Sequence, residues 1–163
     1  MESLFFNLLQ ILNALDNNLK EMHKATEKHN LALKNNDIEG IKDALKELDT
    51  LSAQSKSLDK KREEIQSNLE LALGLSQGAS LSDTIAKAPA KIAQDLDQAA
   101  TSLRETTAAI ADLVQLNKIL TQQGMQFNDV LLKVIRPAQA TYNPSGQTAG
   151  TSGKAASLLN KTI

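Results

Sequence analysis

From Ile92 to Val134 one seam returns every three or four residues: Ile92, Leu96, Ala99, Leu103, Thr106, Ile110, Leu113, Asn117, Leu120, Gly124, Phe127, Leu131 and Val134. Steps of three and four come back to the same side of a helix that turns every 3.6 residues, so the stretch predicts one long helix. A mostly apolar seam of that length must be covered by other helices. Arg136-Pro137 ends it, because proline has no amide hydrogen and disfavours helical backbone in the residue before it.

Two further amphipathic stretches supply the cover. The first helix is predicted over 3–35, with Leu4, Leu8, Ile11, Leu15, Met22 and Ala25 on its seam and Phe5, Leu9, Leu12 and Leu19 widening the face. Asn35-Asn36-Asp37 breaks it; Asn36 is the expected cap of the next helix, with Glu39 completing a capping box, and Gly40 is a mild cost inside the first turn. The second helix, 37–73, carries Ile41, Leu48, Ser55, Arg62 and Leu69 at one heptad position and Ala44, Leu51, Leu58, Ile65 and Ala72 at the other. Gly74 and Gly78 stop it, Ser80 with Asp83 caps a short helix over 81–87, and Pro89 suits the first turn of the third long helix, 90–136. Hydrophobic residues make up 41% of the chain but aromatic ones only 2%, so the core is Leu, Ile, Val and Ala. No segment alternates as a half-buried strand does. The expected fold is all-α: an elongated antiparallel three-helix bundle or coiled coil over 1–136, with a long C-terminal helix and a flexible tail.

That tail, 137–163, has no charged residue from Pro137 to Gly153, and only 154–160 has an apolar face, too short for a stable helix unless something docks there. At 1.5 Å per residue the three long helices measure roughly 50, 55 and 70 Å, so the third outruns its partners near Gly124. Phe127, Val130, Leu131, Val134 and Ile135 are then left as an apolar stripe to be covered by the tail, a second copy or a foreign helix.

Charge and motifs narrow the function. Eighteen Lys and Arg against nineteen Asp and Glu, interleaved, give no basic stripe, and the few aromatics give no stacking platform for nucleic acid. The absence of cysteine removes disulfides and thiolate sites. The apolar N-terminus lacks a basic leader and is interrupted by Asn7, Gln10 and Asn13, so a cytoplasmic protein without membrane insertion is expected. His23 and His29, six residues apart, point about 240° apart around a helix and are expected as surface residues, His23 with Glu27 at hydrogen-bonding distance along the helix. No phosphate loop, nucleophile elbow or zinc motif appears, so no catalysis, metal or cofactor is expected.

Three residues invite two readings each. Asn117 and Gly124 interrupt the seam, either fixing register and close packing or loosening the distal helix so that a partner enters. Tyr142, the single tyrosine, stands in TYNPSGQ beside a turn, either as a docking anchor or folded back on the bundle.

With these residues in view the chain resembles the FlgN family. EKHNLALKNNDIEGIKDALKELDTLSAQSKSLDKKREEI carries Glu27, Leu31, Asp37, Leu58 and Arg62 in the family's pattern. LNKILTQQGMQFNDVLLKVI carries Asn117, Leu120 and Leu131, and TYNPSGQ carries Tyr142 and Gly146, while Val114 stands where the family often has a second Asn. The resemblance implies a cytoplasmic chaperone of flagellar type III export. Its expected partners are the C-terminal segments of hook-associated junction proteins and the cytoplasmic domain of the export gate. On that reading Asn117, Leu120, Phe127, Val130, Leu131, Val134 and Ile135 serve the client, and Tyr142 and Gly146 dock on the gate. A weak homodimer is compatible with it. The alternative is a structural coiled-coil adaptor that forms a permanent homo-oligomer through the same third helix.

Overall fold

A computed structural model describes residues 2–135. They form α1 (Glu2–Asn35), α2 (Ile38–Leu73), α3 (Leu81–Ile85) and α4 (Ala90–Ile135), and no strand occurs among them.

The turns show why the chain reverses where it does. Asn36 adopts a left-handed φ of 53°, and the amide of Asp37 donates to the carbonyl of Ala32 at 2.9 Å, which closes α1. Asn36 is therefore the terminator of α1 and not the cap of α2. The cap is Asp37, whose Oδ1 accepts from the Gly40 amide at 3.0 Å. Gly40 is also more than a mild cost, since a Cβ there would collide with the Asp37 carboxylate and lie 3.2 Å from the Ala32 Cβ. At the other end of α2, Gly74 is left-handed (φ 66°) and the Leu75 amide donates to the Glu70 carbonyl at 2.9 Å. Ser80 and Asp83 form a reciprocal capping box on α3. The buried Thr84 hydroxyl accepts from Gln66 Nε2 at 2.7 Å and ties α3 to α2.

Cross-helix contacts fix the register. Lys28 pairs with Glu47 at 2.8 Å, and Asn18 Nδ2 donates to the Leu51 carbonyl at 3.0 Å and to Ser55 Oγ at 2.7 Å, so α2 runs antiparallel to α1. Asp16 meets Ser102 and Asn30 meets Asn117, so α4 returns parallel to α1. The antiparallel three-helix arrangement of the long elements is thus an up-down-up bundle. Its apolar core gathers Phe5, Leu8, Leu12, Leu69, Leu96 and Ala99 where the start of α1, the end of α2 and the start of α4 meet, with Leu81 and Ile85 of α3 packed against it. Each fully buried Leu contributes about 1.5–3 kcal/mol.

The chain divides into two compact units, Met1–Gln123 and Gly124–Ile163. The bundle just described lies in the first. Of the second, residues 124–135 are described, and they continue α4. No helix among the described residues is long and apolar enough to cross a membrane.

Candidate functional site

Residues 124–135 are helical and exposed throughout. Seven of these twelve, Met125, Phe127, Val130, Leu131, Leu132, Val134 and Ile135, are large and apolar, with exposures from 38% at Leu131 to 74% at Val134. Gln126, Asp129 and Lys133 recur at three- and four-residue steps and fall together on the opposite face, so the segment is amphipathic. An exposed apolar helical face of this density is the kind of surface that another apolar face can cover.

Within the first unit, two polar clusters join α1 to α4. The Asp16 carboxylate is buried and accepts from Lys20 Nζ at 2.7 Å, from Ser102 Oγ at 2.9 Å and from Thr106 Oγ1 at 3.4 Å. Fifteen residues further along α4 from Ser102 stands Asn117, 4% exposed. Its Oδ1 accepts from Asn30 Nδ2 at 2.7 Å, and its Nδ2 lies 3.2 Å from the Thr26 carbonyl and 3.3 Å from His29 Nδ1. Asn117 is the last buried residue of α4; Leu120 is half-buried and every residue from Thr121 to Ile135 is exposed.

The residues expected at the client surface therefore separate into two environments. Phe127, Val130, Leu131, Val134 and Ile135 are on the exposed segment, whereas Asn117 lies in the bundle interior and Leu120 at its margin. Val114 is exposed. Tyr142 and Gly146 lie outside the described residues. His23 stands 3.6 Å from Glu27, beyond a good hydrogen bond, and His29 is half-buried against Asn117 rather than on the open surface. Burial holds the His29 ring below the ordinary imidazole range. Asp16, Thr26 and Asn30 carried no expectation from the pattern, though Asp16 and Asn30 are polar residues adjoining an apolar seam, which is the signal that was there to find.

The FlgN protein family model matches residues 1–150. No curated protein and no solved structure matches the chain.

Proposed function

Because the chain belongs to the FlgN family of flagellar export chaperones, we propose that it works in the cytoplasm, where it binds the C-terminal helical segments of hook-associated junction proteins, keeps them from assembling early and delivers them to the export gate. The observation that carries this reading is the exposed apolar face on residues 124–135. Subunits that later join through amphipathic termini need those termini covered beforehand, and a helix is covered by laying its apolar face against another. Phe127, Val130, Leu131, Val134 and Ile135 make the contact. Leu120 sits at the start of the exposed stretch, and Asn117 acts from the interior by fixing where α4 stands on α1. Transfer at the gate is a competition of affinities and needs no nucleotide or bound metal. Tyr142 and Gly146 dock on the gate's cytoplasmic domain, a role supported by their match to the family's terminal pattern.

The test is a titration of Phe127→Asp and Leu131→Asp with a hook-associated C-terminal peptide, beside circular dichroism of the same variants. Each substitution places a charge under the bound helix, so affinity is lost while helicity is kept. Both variants binding as tightly as the parent would move the client site elsewhere. Sedimentation across a wide concentration range addresses the adaptor alternative, which demands a stable oligomer at every concentration at which the protein is folded.

A further inference from the structure

The Asn117 cluster has a fixed direction. The Thr26 carbonyl is an acceptor only, so the side of the Asn117 amide facing it at 3.2 Å is the NH2 group. The other side, Oδ1, then accepts from Asn30 Nδ2, as its 2.7 Å separation requires. The remaining N–H of Asn117 points to His29 Nδ1 at 3.3 Å, which accepts it only if that nitrogen carries a lone pair. The network thereby assigns a neutral ring with its proton on Nε2.

Protonation turns this contact into two donors face to face. Rotating the Asn117 amide does not restore it, because Oδ1 would then oppose the Thr26 carbonyl and Nδ2 would oppose the Asn30 amide. We propose that His29 is a proton-sensitive latch between α1 and α4, closed when the imidazole is neutral and opened when it takes up a proton. Among the described residues no charged group pairs with the His29 ring, and Asp112 and Lys118 of α4 are exposed. One turn away on α1 stand Ala25, Thr26, Ala32 and Leu33, and one turn from Asn117 on α4 stand Leu113, Val114, Leu120 and Thr121. On the facing stretch of α2, Glu47 is held by Lys28 and Lys42 by Glu39, while Asp43 and Lys46 are exposed. The depression of the His29 pKa by burial runs in the same direction. Since Asn117 is the last buried residue of α4, opening the latch loosens the final packed turn of that helix in the bundle. The latch stands whether or not the exposed segment is where clients bind.

Linkage sets the sign. A histidine whose folded pKa lies below the unfolded value of 6.5 leaves the unfolded chain holding more protons between the two, so stability falls as pH drops below 6.5 and levels off below the folded pKa. Nuclear magnetic resonance of the full chain between pH 5 and 8 tests it directly, with His23, the other histidine, as internal control. The expected result is a His29 ring protonated at Nε2 at pH 7.5, titrating below 6.5, with the Asn117 side-chain amide resonances moving at the same midpoint. A His29 that titrates at or above 6.5, or an Asn117 amide indifferent to that titration, overturns the proposal. Melting temperatures supply a second arm: His29→Gln presents an acceptor that does not titrate, so it should lose part of the acid destabilisation seen in the parent between pH 7.5 and 5.5. Identical pH profiles for parent and variant would also sink the latch.

Discussion

Asn30 and Asn117, 87 residues apart in sequence, share a 2.7 Å hydrogen bond in the bundle interior, Asn30 Nδ2 donating to Asn117 Oδ1. The bond closes the α1–α4 interface far from the apolar core that gathers around Leu8 and Leu96. Truncating one partner strands the other, so Asn117→Ala or Asn30→Ala should each cost about 1–3 kcal/mol. The double variant leaves neither stranded and should cost less than the sum, with a coupling on the order of 0.5–3 kcal/mol in urea unfolding. Strict additivity would mean that the two amides do not depend on each other.

Gly40 departs from the usual helix rule. Replacing a helical glycine by alanine normally stabilises by roughly 1 kcal/mol. Here the added Cβ collides with the carboxylate that caps α2, and losing that cap, at about 0.5–2 kcal/mol, offsets or exceeds the propensity gain, so Gly40→Ala should be neutral to destabilising. In an Asp37→Ala background the cap is already gone, so the same substitution should cost less. Thermal unfolding of the four chains decides it, and a stabilising Gly40→Ala in the parent would contradict the geometry.

Long-range periodicity made the architecture legible and left its polar joints dark. A seam repeated over many turns specifies a helix and its partners whatever any single residue does, which is why the all-α bundle follows from positions such as Leu96 and Leu103. The cap at Asp37 was hidden because Asn36 and Asp37 both suit a helix start. Only the left-handed φ of Asn36, set by closing α1, separates them. For the candidate site, the apolar run from Phe127 to Ile135 shows in the letters, since it needs only local spacing. The partners of Asn117 do not, because Thr26, His29 and Asn30 reach it through the pairing of two helices whose polar positions carry no periodic mark.

The α3 capping box has an acid signature. Asp83 is held below the ordinary carboxylate range by the Ser80 hydroxyl, which donates at 2.7 Å, and by the Ser80 amide at 3.0 Å. Because the folded pKa is depressed, the cap's contribution is complete above the unfolded value of 3.8 and is lost as pH falls through the folded one. Carboxyl carbon titration should place Asp83 below 3.8, and Ser80→Ala should move it back up. An Asp83 midpoint unchanged by that substitution would show that Ser80 is not the cause.

Leu96 and Phe127 share the seam of α4 but should answer truncation in opposite ways. Leu96 is fully buried in the apolar core, so Leu96→Ala removes apolar contact and leaves a cavity, at about 2–5 kcal/mol. Phe127 is 62% exposed, and Phe127→Asp exchanges one middling helix former for another on a solvated face, so its cost should stay within about 0.5 kcal/mol. Paired urea unfolding of the two variants, each at low and high protein concentration, measures the contrast. A Phe127→Asp cost as large as that of Leu96→Ala would mean that the ring is already covered in the free protein. Dependence of that cost on concentration would identify the cover as a second copy, and independence would identify it as the chain itself; either outcome removes the open face on which the client reading rests.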